Sequence, residues 1–251
     1  MKAIVLTCDK YIQLTNHMIH KYQQLWPNNP FCFHVPYQNY PKFLQEKYGD
    51  KINLIPCKSD IISTINTLLS NLDNDEWIYW CIDDKYPISL NIQKIQLIYN
   101  WIYTLNNPEI SGIIFCRTRN LKNKSLIPWK FENQHLIIEN EKILIDNMGN
   151  KYFQRKDYSQ IWIHQFLKVK VLRNLFRNFP NELSNAKEMD YFKYQIQLPH
   201  EHKLYVSKFN LAKFGESTTR GYLTLNCAKS LQRLGFKLPQ DFKISKKRII
   251  M

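Results

Sequence analysis

The run Trp77–Ile82 (WIYWCI) constrains the fold more than any other part of the sequence, because all of its residues are apolar or aromatic. A strand with one solvent-facing side alternates polar and apolar residues, whereas a strand covered on both faces is apolar throughout. Asp83 and Asp84 follow at once and mark the end of the strand. The run therefore predicts a central strand of a sheet that is covered on both sides.

Shorter apolar runs around this strand alternate with segments of helical periodicity. The predicted strands are Ala3–Thr7, Phe31–Val35, Ile52–Ile55 and Gly112–Cys116. The predicted helices are Tyr11–Trp26, Ile61–Leu72, which Ser59 or Asp60 caps, and Ile92–Leu105. Strands that alternate with helices imply βαβ units, so we predict an α/β fold: one Rossmann-like, mainly parallel sheet with flanking helices.

The second half of the chain changes character and predicts an α+β arrangement. His135–Ile138 and Lys142–Ile145 flank Glu139-Asn140-Glu141 and favour a hairpin. An amphipathic helix is predicted over Gln165–Phe179, a further helix over Lys187–Gln195, and a late strand over Leu204–Ser207. No linker composition separates the halves, so residues 1–251 are predicted to form a single domain.

The adjacent carboxylates Asp83 and Asp84 are the strongest candidate site. Open α/β sheets bind ligands beyond the carboxyl ends of their strands. Two carboxylates there repel each other, and a cation would offset their charge. Oxygen ligands suit Mn²⁺ or Mg²⁺, which bridge carboxylates to a substrate diphosphate. The structural alternative is a simple turn after the strand, since Asp favours turns.

This order of elements, with a central strand that ends in an acidic pair, resembles the glycosyltransferases of the GT-A fold. Ile82-Asp83-Asp84 is similar to their Asp-x-Asp motif, from which it departs at residue 82. The resemblance implies that residues 1–120 bind a nucleotide-sugar donor and residues 121–251 an acceptor. It also implies donor contacts and metal ligation by Asp83, and metal ligation by Asp84.

The loop after the first strand gives the resemblance a second support. In such enzymes this loop holds the base and ribose of the nucleotide, which suits hydrogen bonding or stacking by Thr7, Asp9 and Tyr11. A polar loop in which Asp9 caps the next helix is the alternative. Arg117 and Arg119 follow another strand, and their guanidinium groups match phosphate oxygens. Exposed basic residues after a strand are equally ordinary.

An inverting transfer also needs a base to deprotonate the acceptor hydroxyl. The resemblance places it at the start of a late helix, where Glu188 and Asp190 are the candidates. A helix that Ser184 or Asn185 caps, with an acid in its first turn, is the structural alternative for Glu188.

Three further residues are predicted to bind the acceptor. Trp162 would stack on a sugar, with core packing as its alternative. Glu216 and Arg220 lie in Phe214–Gly221 (FGESTTRG), which suits an anion or a sugar and is either a lid or a flexible turn.

Net charge and cysteine content indicate which binding partners and which cellular compartment to expect for this protein. The formal net charge is +14, which favours anionic partners. The 6 cysteines show no zinc-like spacing, no run approaches 18 apolar residues, and the start is too short for a signal sequence. We therefore expect a cytoplasmic protein, with peripheral contact at the inner face of a membrane allowed by the basic surface.

These observations predict a transferase that moves a sugar from a nucleotide-sugar donor to a glycan or lipid-linked acceptor in the synthesis of a surface polysaccharide or lipopolysaccharide. A nucleotidyltransferase is the first alternative, although such enzymes carry a glycine-rich loop that Thr7–Tyr11 lacks. A non-enzymatic nucleic-acid-binding protein is the second, favoured by charge but by no recognisable motif. Nucleic acid is therefore not an expected partner.

Overall fold

A computed structural model describes residues 1–116, 129–131, 134–136, 138–183 and 185–245. The strands are β1 Lys2–Leu6, β2 Cys32–Tyr37, β3 Ile52–Pro56, β4 Trp77–Ile82, β5 Lys85–Leu90, β6 Ile110–Ile114, β7 Trp129–Phe131, β8 Gln134–Leu136, β9 Ile138–Ile145, β10 Lys151–Arg155, β11 Gln165–Lys168, β12 Lys203–Ser207, β13 Ala212–Glu216, β14 Thr218–Thr219 and β15 Tyr222–Leu223. The α-helices are α1 Ile12–Leu25, α2 Lys42–Tyr48, α3 Ile61–Leu69, α4 Ile92–Ile102, α5 Val169–Arg177, α6 Ala186–Phe192 and α7 Leu225–Arg233.

The main sheet has nine strands in the order β3-β2-β1-β4-β11-β6-β12-β10-β9. Strands β3, β2, β1 and β4 are mutually parallel, and β6 pairs in parallel with β12. Strand β11 runs antiparallel between β4 and β6, and β10 runs antiparallel between β12 and β9. The predicted α/β fold with a mainly parallel sheet is confirmed.

Strand β4 lies where the sequence places it, and both of its faces are covered. Tyr79 and Cys81 pack into one core cluster with side chains of α1, α4 and α7. Ile78 and Trp80 pack into the opposite cluster with side chains of α3, α5 and α6. Helices therefore cover the sheet on both sides, and this explains the uninterrupted apolar run.

The helix start predicted from the cap at Asp60 is also confirmed. Asp60 accepts a hydrogen bond from the backbone N–H of Ser63 at 2.7 Å at the start of α3. Asn91 caps α4 in the same way, through the N–H of Lys94 at 3.2 Å. These short side chains satisfy backbone donors that have no partner inside the helix.

The predicted hairpin over residues 135–145 is wrong. Strand β9 continues through Glu139-Asn140-Glu141, and its pairing with β10 shifts register between Phe153 and Gln154. A bulge can absorb extra residues in one strand without reversing the chain. The polar triplet thus lies within an irregular strand, although its sequence resembles that of a turn.

The predicted helix over Gln165–Phe179 begins four residues late, because its first residues form strand β11. Phe166 and Leu167 pair with both β4 and β6 and are wholly buried. Position in the sheet has overridden local periodicity. The sequence also missed the small sheet of β13 and β5, which packs beside the end of β4. No helix in the described part of the chain is long and apolar enough to cross a membrane.

Candidate active site

The candidate site lies at the carboxyl ends of β1 and β4, where the strand order reverses. The chain runs from β1 outward to β2 and β3, and then returns to place β4 on the other side of β1. Leu6 and Ile82 are paired at this edge, and the backbone N–H of Asp83 donates to the Leu6 carbonyl at 3.3 Å. Such a reversal opens a crevice between the loops that leave the two strands.

The loop after β1 and the acid pair after β4 meet in this crevice. Thr7 is buried, and the Thr15 hydroxyl donates to its Oγ1 at 2.9 Å. A single 3-10 turn, Asp9–Tyr11, then leads into α1. Burial raises the pKa of Tyr11, and the nearby carboxylates of Asp83 and Asp84 raise it further. Three residues predicted to bind a donor, Thr7, Tyr11 and Asp83, are thus neighbours.

Asp83 is held mainly in its neutral form at this site. Although part of the residue is accessible, its carboxyl group is surrounded by protein, and this desolvation raises its pKa to about 8. Asp84 adds to the rise, whereas hydrogen bonding from Thr7 and the charge of Lys85 oppose it. At neutral pH a protonated Asp83 can donate a hydrogen bond as well as accept one.

Asp84 forms a closely matched ion pair with Lys85. The Lys85 ammonium nitrogen lies 2.8 Å from both carboxylate oxygens of Asp84. The same nitrogen lies 3.7 Å from Oε1 of Glu216 on β13. The side chains of Lys85 and Glu216 are each 9% exposed, so the ammonium is buried between two acids. Lys85 was not among the sequence candidates.

The run 214–221, predicted as a lid or a flexible turn, begins as strand β13 and continues as the hairpin β14–β15. The backbone N–H of Ser217 donates to the Asp84 carbonyl at 2.6 Å. The Thr218 side chain hydrogen-bonds Tyr11, which moderates the raised pKa of that tyrosine. Arg220 is exposed in the turn of the hairpin with φ at +51°. The run therefore connects the acid pair to the loop after β1.

Asp9 organises the neighbouring loop after β2. Its carboxylate accepts hydrogen bonds from the backbone N–H groups of Gln38 at 2.8 Å and Asn39 at 2.7 Å. It does not cap α1, whose N-cap residue is Tyr11. Any contact between Asp9 and a nucleotide stays a prediction.

Trp162 lies against the protein core on one side. Its ring is half-buried and packs edge-on against Phe176 of α5, with 6.2 Å between ring centres. This is the core-packing alternative given for Trp162 in the sequence analysis. Stacking of a sugar on this residue stays a prediction.

The two candidate bases differ in their surroundings on α6. Glu188 is exposed in the first turn, and its backbone N–H donates to the capping side chain of Asn185 at 3.1 Å. Asp190 forms an ion pair with the buried ammonium of Lys193 at 2.5 Å. Lys193 also donates to the carbonyl of Ser159 at 3.0 Å, in the segment that leads into β11. The start of β11 pairs with Trp80, near the end of β4 that the acid pair follows.

Arg117 and Arg119, predicted to bind the donor diphosphate, lie outside the described residues. Cys116, the last described residue before them, is buried. It follows β6, which runs parallel to β4 on the far side of β11.

The acid pair does not fit a divalent metal ion as it stands. Both oxygens of Asp84 are already bound by Lys85. Within the described ranges no three His, Cys, Asp or Glu side chains form a group that would hold a metal ion. Mg²⁺ is commonly bound by only one or two carboxylates together with water and substrate phosphates, so the occupation of Asp84 by Lys85 is what opposes a metal ion here. The predicted metal ligation by Asp83 and Asp84 thus requires the ammonium to move away.

A buried hydrogen-bond chain supports the end of β4 from behind. His164 lies 2.9 Å from the Ile82 carbonyl through Nε2 and 2.6 Å from the Tyr22 hydroxyl through Nδ1. The Tyr22 and Tyr79 hydroxyls are 2.7 Å apart. Since the Ile82 carbonyl only accepts, Nε2 carries the proton, Nδ1 accepts from Tyr22, and Tyr22 accepts from Tyr79. The chain thereby fixes the backbone directly before Asp83.

Comparison with known proteins identifies the fold. No protein-family model matches the sequence, and no curated protein matches it. Among solved structures, residues 1–349 of TarS from S. aureus in complex with UDP-GlcNAc superpose with a TM-score of 0.50 at 14% identity, covering 93% of this chain and 64% of that one. The same TarS fragment without that ligand is covered over 58% of its length, and a longer TarS structure over 35%. The chain thus spans less than two thirds of these proteins.

Two further matches are weaker. The galactosyltransferase LgtC in complex with donor and acceptor sugar analogs gives a TM-score of 0.40 at 9% identity over 92% of this chain and 78% of that one. A 4-diphosphocytidyl-2C-methyl-D-erythritol synthase from Anaerococcus prevotii gives a TM-score of 0.44 at 12% identity, over 93% of this chain and 95% of that one. Together with the strand order and the placement of the acid pair, the TarS match shows that the chain has the fold of the GT-A glycosyltransferases.

Proposed function

We propose that this protein is a glycosyltransferase that moves a sugar from a nucleotide-sugar donor to a hydroxyl group of a glycan or lipid-linked acceptor. One observation carries the proposal: Thr7, Tyr11, Asp83 and Asp84 converge at the reversal point of an open α/β sheet. That crevice is where folds of this kind bind nucleotides. The TarS complex with UDP-GlcNAc supports the choice of donor class.

Each residue of the crevice has a proposed task. Tyr11 offers a ring and a hydroxyl to the nucleoside, and Thr7 and Asp83 offer hydrogen bonds to its ribose. Glu216 and Arg220 lie on the strand and hairpin that border the acid pair, where we propose that the acceptor enters. The basic balance of the chain suits a donor that carries a diphosphate.

We propose Glu188 as the base, because it is exposed in the first turn of α6, whereas loss of the Asp190 charge would leave the buried ammonium of Lys193 without its carboxylate. In the transfer, the acceptor oxygen bonds to the anomeric carbon and its proton passes to Glu188. The bond between that carbon and the phosphate oxygen breaks, and its electron pair leaves with the nucleoside diphosphate. A single displacement of this kind inverts the anomeric centre.

Thermal shift against nucleoside diphosphates and nucleotide sugars tests the donor site. A ligand at 100 times its Kd stabilises the native state by about 2.7 kcal/mol. One nucleotide family should raise the Tm, and Tyr11→Ala should remove the shift. The matched control is Tyr103→Ala, which changes an exposed tyrosine that lies near Glu76 at the opposite edge of the sheet.

The product then distinguishes the classes of enzyme. Release of a nucleoside diphosphate with transfer of labelled sugar supports the proposal, whereas release of pyrophosphate would identify a nucleotidyltransferase. A chain that binds none of these nucleotides but binds oligonucleotides with a steep salt dependence would contradict the proposal.

A further inference from the structure

We propose that Lys85 replaces the divalent metal ion at the acid pair, so that the donor site binds a nucleoside diphosphate sugar without metal. This inference rests on the proposed function for the identity of the ligand. Its basis in the protein is the contact between Lys85 and Asp84 directly after β4.

The Lys85 ammonium occupies the position that a bridging cation would take. It lies 2.8 Å from both oxygens of Asp84, on the side between them where a cation binds in bidentate fashion. Mg²⁺ would approach the same oxygens to about 2.0–2.1 Å. The ammonium and the ion cannot share that place.

The backbone keeps Lys85 there. It is the first residue of β5, and its register partner on β13 is Glu216. The Ser217 N–H holds the preceding carbonyl, that of Asp84, at 2.6 Å. If the ammonium swung away to admit a metal ion, the ion would bind the Asp84 carboxylate. The Lys85 side chain, which is 9% exposed, would then lose that ion pair. A buried charge without its partner is costly, so the ion pair resists such an exchange.

The ammonium also retains capacity for a ligand. Of its three N–H donors, two are used by the oxygens of Asp84. The third has Glu216 at 3.7 Å, beyond hydrogen-bond distance, as its nearest charged partner among the described residues. One donor therefore remains for a diphosphate oxygen, which a bound metal would otherwise contact.

Mn²⁺ binding without any nucleotide provides the first test, by electron paramagnetic resonance. The wild-type protein and Asp84→Asn should bind Mn²⁺ equally weakly. Lys85→Met, and Lys85→Gln as a second variant that keeps a polar group, should bind it at least tenfold more tightly. Adding Asp84→Asn to either should abolish that gain. Lys2→Met, which removes a lysine paired with Glu76 at the opposite edge, should change nothing.

Wild-type Mn²⁺ binding that Asp84→Asn removes would overturn the proposal, and so would the absence of a gain in both Lys85 variants.

The second test is the thermal shift with nucleoside diphosphates in the presence and absence of EDTA. The wild-type shift should be the same in both, and Lys85→Met should bind at least tenfold more weakly in EDTA.

A wild-type shift that EDTA abolishes would overturn the role of Lys85 and leave the transferase intact. A lack of any nucleotide shift would overturn the proposed function. The Mn²⁺ measurement would still decide whether Lys85 excludes a metal ion, so the two failures are distinguishable.

Discussion

The Nε2 atom of His164 donates to the carbonyl of Ile82 at 2.9 Å, so a buried imidazole directly before β11 holds the last residue of β4. His164 also packs against Phe214 of β13, with 4.8 Å between ring centres. One side chain thus contacts both the strand before the acid pair and the strand that carries Glu216. The geometry of the candidate site depends on this core residue.

The hydrogen bonds in the chain Tyr79–Tyr22–His164 should contribute unequally to the free energy of unfolding. Tyr79→Phe removes only the last donor, and we expect a loss of about 1 kcal/mol. Tyr22→Phe deprives the His164 Nδ1 atom of its donor as well, and we expect roughly 2–3 kcal/mol. Urea unfolding of both variants and of the double variant measures the difference. Equal losses of stability in the two single variants would contradict this order of hydrogen-bond donors.

Acid should destabilise the fold through its buried histidines. Burial lowers the pKa of His17 and of His164 from 6.5 to about 3. Their contribution is complete above pH 6.5 and is lost as the pH falls toward 3, because the unfolded chain takes up protons that the folded chain refuses. Each histidine adds a slope of about 1.4 kcal/mol per pH unit across that window.

Asp83 has the opposite sign between pH 3.8 and about 8, because its raised pKa keeps it neutral in the fold where the unfolded chain is ionised. The measurement therefore compares variants. His17→Gln and His164→Gln should each reduce the slope of the unfolding free energy against pH by the contribution of one proton, about 1.4 kcal/mol per pH unit. An unchanged slope in His164→Gln would show that this imidazole is charged in the native state.

Glu188 and Asp190 should separate in their effects. Glu188→Gln should lower kcat by a factor of about 10²–10⁴ with little change in KM, because only proton transfer is lost. Asp190→Asn should instead destabilise the fold by roughly 3 kcal/mol, because Lys193 is 1% exposed and would lose its carboxylate. Steady-state kinetics and unfolding of both variants provide the readouts. The reverse pattern would move the base to Asp190.

Two glycines permit close packing and should respond differently to alanine. A Cβ at Gly112 would meet the ends of Leu167 and Leu204 at 2.6 and 2.7 Å, and these flexible side chains can shift. A Cβ at Gly215 would meet the rigid ring of Tyr86 at 2.4 Å. We expect Gly112→Ala to cost about 1–2 kcal/mol in stability alone.

Gly215→Ala should cost roughly 3 kcal/mol, at the upper end of the usual range for overpacking, and should also weaken donor binding because β13 would be displaced from β5. Unfolding and thermal shift of both variants give the comparison. Donor binding that is unaffected by Gly215→Ala would show that the small sheet does not form the site.

The parts of this fold that the sequence predicts are those with local signals. The apolar run of β4, the cap at Asp60 and the acids after β4 are each encoded within a few neighbouring residues, and the structure has all three. Strand β11 was missed because its residues become a strand only when β4 and β6 lie on both sides.

Lys85 was missed for a related reason. It follows the acid pair directly, but its burial depends on β13, which lies more than a hundred residues later in the sequence. Pro87 in β5 also weakens the strand signal there. In the run 214–221, the polar and glycine residues were a usable signal of a site, while the strand pairing that aligns them was not visible.

The insertion of β11 between β4 and β6 has a consequence for biosynthesis. When the ribosome has completed residue 116, β4 has its parallel neighbour β1, but its other edge stays open until residues 165–168 emerge. An open edge of six apolar residues is a template for pairing with another chain. The nascent protein thus passes through an interval of exposure to aggregation, and slowing translation between these two points would lengthen it.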